Sequence, residues 1–270
     1  MPPEARLDVL TDVVVEGDCF EVLDGMPDAS VDLVLTDPPY GKTALKWDVA
    51  PRLPDMWRLL LRVGKPGCVF VFTCVQPFTT DLINSARRMF RHDWVWVKNA
   101  PSGMMLAGRA PMRRHETVAV FCRRAPKFNP QKVTGSLTSR NHSRKGYSYR
   151  NGESKLYSVD GGVPFVWSAD VNPHSVLPCD VVGNRDKGKV HPTQKPVALF
   201  EYLVRTYSDE GDVVLDPFAG SGTTAVACAN TGRRFVCVES DATHARDARR
   251  RASEAVTSRS CPEASRSPTA

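Results

Sequence analysis

The chain has 270 residues, of which 41% are hydrophobic and 24% charged, values typical of a globular protein of one or two domains. No apolar run approaches the roughly 18 residues of a membrane helix, and the first residues lack the basic and apolar regions of a signal peptide, so we expect a cytoplasmic protein without a membrane anchor. The net charge is +6, yet residues 123–189 alone hold twelve Lys or Arg against five Asp or Glu, which predicts one surface that faces a polyanion.

Short apolar strands alternate with helical patterns through the first part of the chain. Strands are predicted at 12–18, 31–36, 67–74, 93–99 and 116–122, with amphipathic or helical stretches at 19–26, 53–63 and 77–90. Strands that alternate with helices favour parallel pairing, with helices on both faces of the sheet. We therefore predict an α/β fold.

This alternation stops between about residues 125 and 190, where Asn, Ser, Gly, Arg, Lys and Tyr dominate. The composition predicts an irregular insertion. Regular structure resumes with a helix in 191–208, followed by a strand at 212–216, a glycine-rich turn, a helix at 225–231, a strand at 235–239 and a final basic helix. The polar residues 253–270 are predicted to form a disordered tail.

The eight cysteines are scattered without a C-x-x-C pair, and several lie in apolar strands or helices. This pattern predicts reduced, buried thiols in place of disulfides or a zinc site. The cysteines are Cys19, Cys68, Cys74, Cys122, Cys179, Cys228, Cys237 and Cys261.

The strand at 31–36 runs directly into Asp37, two prolines and Tyr40. Pro38 and Pro39 cannot donate to a β-ladder, so the strand must end there, and a residue before a proline favours an extended backbone. A carboxylate and a phenol are thereby held at the carboxyl end of a strand, the edge where ligands bind in open α/β sheets. An ordinary Asp-Pro turn is the alternative.

A second strand ends at Asp216 and is followed by a glycine-rich turn, a helix, and another strand that ends at Glu239. Gly220 and Gly222 allow a ligand to approach the backbone, and the helix start offers free N–H groups. Acidic strand ends can bind ribose hydroxyls or an amine, so a nucleotide-bearing cofactor is predicted. The turn lacks the G-K-[ST] of a phosphate loop and the full G-x-G-x-x-G spacing, and a structural turn is the alternative.

The stretches "TDPPYG…KWD", "HPTQKP" and "DPFAGSGTT", in this order, resemble the β class of amino-group DNA methyltransferases that use S-adenosylmethionine. The resemblance runs from about residue 17 to 251 and is weakest between 125 and 190. It implies a Rossmann-like fold with a mostly parallel twisted sheet, helices on both faces and a circularly permuted motif order. One domain, 1–252, would contain a catalytic half (12–122), a small irregular target-recognition insertion (123–190) and a cofactor-binding half (191–252), before the tail at 253–270.

The resemblance also implies the catalytic roles. Asp37 and the carbonyl of Pro38, held rigid by Pro39, would accept hydrogen bonds from the exocyclic amino group of a flipped base. These bonds localise the nitrogen lone pair for attack on the methyl group, while Tyr40 stacks on the base. No metal or covalent nucleophile is required, because the methyl donor is already activated.

The cofactor site follows from the same resemblance. Asp18 and Cys19 would contact the adenine of the cofactor, Glu239 with Ser240 and Asp241 the ribose side, and Lys195 would close the pocket; an N-cap is the alternative role for Asp18. The methionine end would be lined by Asp216, Phe218, Gly220, Ser221, Gly222 and Thr223, and Asp37, Pro217 and Ala219 would also belong to the cofactor site.

Two basic stretches are candidates for contact with nucleic acid. The loop after the DPPY motif carries Lys42, Lys46 and Trp47, and could equally be a surface loop with a packed tryptophan. Further along, Arg140, Arg144, Lys145 and Arg150 alternate with His142, Tyr147 and Tyr149, as in nucleic-acid-binding surfaces, although a solvated charged loop looks similar.

The predicted function is S-adenosylmethionine-dependent methylation of N6 of adenine in double-stranded DNA. Asp in the first position of DPPY is the form associated with adenine, whereas cytosine-methylating relatives more often have Ser there. N4 of cytosine and an amino group in RNA remain alternatives, and an inactive DNA-binding protein is the alternative of another class. Two protein partners are compatible with this interpretation: a second copy of the chain and a cognate restriction endonuclease.

Overall fold

The computed structural model describes residues 11–42, 48–134, 170–183, 189–191 and 193–260. Within them the strands are β1 Val13–Glu16, β2 Val31–Thr36, β3 Gly64–Cys74, β4 Phe90–Ser102, β5 Arg113–Cys122, β6 Val133–Thr134, β7 Asp170–Val171, β8 Val176–Pro178, β9 Val213–Asp216 and β10 Arg234–Glu239. The helices are α1 Cys19–Asp24, α2 Leu53–Val63, α3 Phe78–Ser85, α4 Val197–Tyr207, α5 Thr223–Thr231 and α6 Ala242–Ser260. None of these helices is long and apolar enough to cross a membrane.

Eight strands form one sheet in the order β1-β10-β9-β2-β3-β5-β4-β8. The five strands from β1 to β3 pair in parallel, β5 runs antiparallel to both β3 and β4, and β8 is parallel to β4. The predicted α/β fold with a mostly parallel sheet is therefore confirmed. At its centre β2 pairs with β9, so that Val34 lies beside Leu215 although the two strands are far apart in the chain.

Helices cover both faces of this sheet because its central strands are apolar on both sides. On one face Trp57 of α2 packs edge-on against Phe70, Phe72 and Phe121, with ring centroids 5.2–5.7 Å apart. On the other face α4, α5 and α6 cover the alternate residues of the same strands. The two clusters of buried side chains lie on opposite sides of the strands, because successive residues of a strand point to opposite faces.

The insertion is shorter than the predicted range 123–190. Residues 130–174 form a separate unit, of which the antiparallel pair of β6 and β7 is described. Phe128 stacks against Trp94 with centroids 6.3 Å apart, and the side chain of Asn129 donates to the carbonyl of Ser208. Through these contacts residues 128 and 129, at the start of the predicted insertion, pack against the unit that contains the main sheet. Near its end, β8 pairs with Val95–Val97 of β4 and forms the edge strand of that sheet.

The predicted tail also begins too early. Helix α6 continues to Ser260, because Ala252 is buried and the guanidinium of Arg259 donates to the carbonyl of Ala229. Residues 261–270 lie outside the described part. The seven cysteines in the described part are free thiols, five of them buried.

Tyr207 provides a test of the packing between α4 and the sheet. Its buried hydroxyl accepts a hydrogen bond of 2.6 Å from the indole N–H of Trp94. Replacing Tyr207 by Phe leaves that N–H buried without its acceptor, so we expect the free energy of unfolding to fall by about 1–3 kcal/mol. Urea denaturation would measure this change, with Tyr202→Phe, which does not affect this bond, as the control. Equal stability of the two variants would contradict the prediction.

Candidate active site

The carboxyl ends of the parallel strands meet around one cavity of about 1110 Å³. Because β1, β10, β9 and β2 are neighbours, the residues that follow each strand come together at one edge of the sheet. The predicted site residues that line the cavity are Asp18, Cys19, Asp37, Pro38, Pro39, Tyr40, Lys42, Lys195, Asp216, Pro217, Phe218, Ala219, Gly220, Ser221, Thr223, Glu239, Ser240 and Asp241.

Asp216 joins the two halves of this cavity. One of its oxygens accepts a hydrogen bond of 2.6 Å from the hydroxyl of Thr36 and one of 3.1 Å from the backbone N–H of Phe218. The other oxygen accepts from the hydroxyl of Thr224. Burial raises the pKa of Asp216 to about 6, and the hydrogen bonds from Thr224 and Thr36 counteract part of that effect. The end of β2 is thus fixed to the glycine-rich turn and to α5.

Asp37 is held from three sides immediately beyond β2. The hydroxyls of Tyr40 and Thr73 both donate to its Oδ1, and the ammonium of Lys195 pairs with its Oδ2. Lys195 was predicted to close a cofactor pocket, and the structure brings it to the predicted catalytic carboxylate. Thr73, at the end of β3, was not predicted, because only the pairing of β2 with β3 brings it to Asp37.

Two further charges complete a mostly buried cluster of four groups, Asp37, Lys195, Glu116 and Lys98, called the charge cluster below. The Nζ atom of Lys98 lies 3.0 Å from Oε1 of Glu116, and that of Lys195 lies 3.7 Å from Oε2. Burial by itself lowers the pKa of Lys195, but the charges of Asp37 and Glu116 outweigh burial, so this pKa is raised. Glu116 and Lys98 were missed, although each is a charged residue in a predicted apolar strand, which is an informative signal.

The loop after Tyr40 is fixed by Asp48, another residue that the sequence did not single out. Its carboxylate accepts three backbone hydrogen bonds of 2.8–2.9 Å, from Tyr40, Gly41 and Lys42. Asp48 is buried and ends the K-W-D stretch of the motif. Its carboxylate thus fixes the backbone of residues 40–42, which directly follow Pro39 of the DPPY tip.

The ends of β1 and β10 supply the other wall of the cavity. Glu239 accepts backbone hydrogen bonds from Gly220 (2.7 Å) and Asp241 (2.9 Å), one on each oxygen. Asp18 caps α1 by accepting from the N–H of Phe20 at 2.8 Å, as one of its two predicted roles required, and it also lines the cavity. Burial, followed by the charge of Asp18, raises the pKa of Cys19 to about 12, so its thiol stays protonated.

Two histidines meet at the same wall. The rings of His191 and His244 lie edge to face with centroids 4.4 Å apart. Burial first, and the nearby His244 second, lower the pKa of His191 to about 4. His191 is therefore neutral at pH 7, and it lines the cavity without adding positive charge there.

The predicted nucleic-acid contacts are described only in part. Lys42 lines the cavity and donates to the carbonyl of Gln76. The other predicted residues, Lys46, Trp47, Arg140, Arg144, Lys145 and Arg150, lie outside the described residues.

Gly222 is the one predicted cofactor residue that does not line the cavity. It has a φ of +75°, and a Cβ built there would lie 2.8 Å from the Cβ of Ala248. Glycine at this position therefore allows α6 to pack closely against the turn. Gly220, with a φ of +50°, has open space where its Cβ would be, and it faces the cavity.

This contrast gives a stability test within one turn. Gly222→Ala must adopt a strained backbone and displace α6, which we expect to cost about 2–4 kcal/mol of stability. Gly220→Ala meets only the backbone strain, about 1–2 kcal/mol. Thermal and urea unfolding of both variants would measure the difference. A variant at 220 that is as destabilised as the variant at 222 would contradict the packing role of Gly222.

Comparison with known proteins identifies the family of this site. The Type II methyltransferase M1.MboII of Moraxella bovis is 29% identical over 248 residues, covering 85% of this chain and 92% of the relative. TTHA0409 of Thermus thermophilus, solved in complex with S-adenosyl-L-methionine, is 25% identical with a TM-score of 0.55, over 90% of this chain and 95% of its own. The PvuII DNA methyltransferase, which is cytosine-N4-specific, shares the fold at 15% identity and a TM-score of 0.60, over 91% of each chain.

The DNA methylase family of the N6/N4 type matches residues 31–250 of the chain. This match takes in both the DPPY tip and the glycine-rich turn. The chain belongs to the N6/N4 family of DNA methylases.

Proposed function

We propose that this DNA methyltransferase transfers the methyl group of S-adenosylmethionine to N6 of an adenine that is flipped out of duplex DNA. The observation that carries the proposal is the position of Asp37. Its carboxylate lines the same cavity as the glycine-rich turn, and it is fixed there by Tyr40, Thr73 and Lys195. An acceptor held beside a nucleotide-sized space is what methylation of an amino group needs.

The cavity fits S-adenosylmethionine by its size and its donor set. Its volume of about 1110 Å³ leaves room for a nucleotide-sized cofactor together with a base. Gly220 presents an open face to the cavity. Each oxygen of Glu239 accepts one backbone N–H, and a carboxylate oxygen can accept two hydrogen bonds, so Glu239 can also bind ribose hydroxyls. The structure of TTHA0409 with this cofactor supports the assignment.

S-adenosylmethionine supplies a methyl group on a positively charged sulfur, which leaves as a neutral thioether. The residues of this chain act on the other reactant. Asp37 accepts one N–H of the amino group and the carbonyl of Pro38 the other, so that the lone pair localises on the nitrogen that attacks the methyl carbon. The surplus proton of the methylated nitrogen passes to Asp37, and Tyr40 positions the ring. This is catalysis by positioning and by proton acceptance.

The carboxylate of Asp37 lies inside a concave cavity, which a base that is still stacked and paired in a duplex cannot enter. The target base must therefore leave the stack. Lys42 and Arg113, which also line the cavity, are basic residues that suit contact with the phosphates beside the extruded base. Adenine is proposed over cytosine because Asp, and not Ser, begins the DPPY motif. The cytosine-N4 specificity of the PvuII enzyme with the same fold makes N4 of cytosine the second candidate.

The first test identifies the modified base. The protein would be incubated with unmethylated DNA and methyl-labelled S-adenosylmethionine, and the DNA digested to nucleosides for mass spectrometry. We expect labelled N6-methyladenine. Labelled N4-methylcytosine would confirm methyl transfer to an amino group but overturn adenine as the base. DNA that stays unlabelled while S-adenosylmethionine is bound would overturn DNA as the substrate.

Asp37→Ala tests the catalytic carboxylate. We expect the rate of methyl transfer to fall by at least about 1000-fold, since both the hydrogen-bond acceptor and the proton acceptor are lost. Binding of S-adenosylmethionine, measured by calorimetry, is expected to persist, because the glycine-rich turn and Glu239 are unchanged. Asp81→Ala, at an exposed carboxylate on α3, is the control. Near-normal methylation by the Asp37 variant would exclude the assigned role.

A further inference from the structure

One acceptor in the charge cluster has no donor. The Oε2 atom of Glu116 is buried and accepts no hydrogen bond from any residue that the structure describes. The Nζ atom of Lys195 lies 3.7 Å from it, just beyond hydrogen-bond distance. A buried carboxylate oxygen without a donor is costly, so its persistence beside the reacting groups calls for a reason.

Asp37, in contrast, is crowded with donors. Its Oδ1 already accepts from two hydroxyls, those of Tyr40 and Thr73, and its Oδ2 from Lys195. A carboxylate oxygen accepts about two hydrogen bonds, so Oδ1 is filled and an incoming amino group can bind only at Oδ2, directly beside the ammonium of Lys195.

The charge balance changes during the proposed reaction. Before methyl transfer, Lys98 pairs with Glu116 and Lys195 pairs with Asp37, two cations against two anions. Once Asp37 takes the surplus proton from the methylated nitrogen, it becomes neutral, and the buried ammonium of Lys195 loses its hydrogen-bonded carboxylate and has only the more distant Glu116 nearby. An uncompensated buried charge is strongly unfavourable.

We propose that Glu116 is a positioning residue that takes over the ammonium of Lys195 when the amino group and then its proton occupy Asp37. This inference rests on the proposed function, and it assigns Glu116 and Lys98 a part in that same reaction. The required shift is small, because Lys195 Nζ has to move by only about an ångström to reach a hydrogen-bond distance of about 2.8 Å from Oε2.

The surroundings of Glu116 suit this role. It lies in β5 opposite Trp96 of β4, so its backbone is fixed by the antiparallel pairing. Lys98 occupies Oε1 and also donates to the hydroxyl of Ser102, which holds the carboxylate in place and leaves Oε2 directed at Lys195. Lys195 itself precedes the first turn of α4, and its flexible side chain can change partners without movement of the helix.

The direct test is a crystal structure of Asp37→Asn, which mimics the neutral state of Asp37. We expect the Nζ of Lys195 within about 3.2 Å of Glu116 Oε2 and no longer at residue 37. An ammonium that stays on the new amide at position 37 and remains beyond hydrogen-bond distance of Glu116 would overturn the proposal. This readout does not depend on activity, so it separates the proposal from the proposed function, which fails if the unchanged enzyme leaves DNA unmethylated.

A kinetic test uses Glu116→Gln, which keeps the shape and the contact with Lys98 but removes the negative charge. We expect kcat to fall at least about tenfold, with KM for S-adenosylmethionine within about twofold of the original. Because Glu116 acts through Lys195, the same substitution in a Lys195→Met background should lower kcat by less than about twofold further. An equal loss in both backgrounds, or an unchanged kcat in the single variant, would show that Glu116 does not act on Lys195.

Discussion

The active site depends on one buried carboxylate, that of Asp216. Ionised side chains are rarely buried, and this one is retained because it accepts hydrogen bonds from Thr36, Phe218 and Thr224. Thr36 is the last residue of β2, directly before Asp37, whereas Phe218 and Thr224 belong to the turn and helix after β9. The position of the DPPY tip relative to the glycine-rich turn is therefore set by side-chain hydrogen bonds as well as by the pairing of β2 with β9. In the proposed reaction, a shift of this tip by about one ångström would separate the reacting groups.

Beyond this connection, the site is organised by compensation of charge. The two cations and two anions of the charge cluster are mostly buried, and they balance in a region of low dielectric where an unpaired charge would be unfavourable. In the proposed reaction the proton that arrives at Asp37 leaves two cations beside one anion, Glu116, so the cluster must exchange partners to keep Lys195 paired. Asp48 contributes from the other side by fixing the backbone of the loop that follows Tyr40.

Much of this arrangement could be predicted from local sequence. The two prolines that end β2, the glycines after β9 and the acidic strand ends are recognisable within a few residues, and the α/β fold follows from the alternation of elements. Thr73, Lys98 and Glu116 could not be placed, because their positions depend on the register of β3, β4 and β5, which sequence periodicity does not specify. The limits of the insertion were missed for a similar reason: Phe128 and Asn129 are held by contacts with β4 and with the end of α4 that lie 34 and 79 residues away in the chain.

The sheet order has a consequence for synthesis of the protein. The central strand β2 pairs on one side with β9, which is translated about 180 residues later, and β1 at the edge pairs with β10, later still. At about 5–20 residues per second, the ribosome takes roughly 10–40 s to deliver the missing neighbour. During that time the nascent chain carries an apolar strand with one unpaired edge, a template for pairing with other chains. The same delay means that no chain shorter than about 239 residues carries both walls of the cavity, so the ability to modify DNA arises only after β9 and β10 have been made.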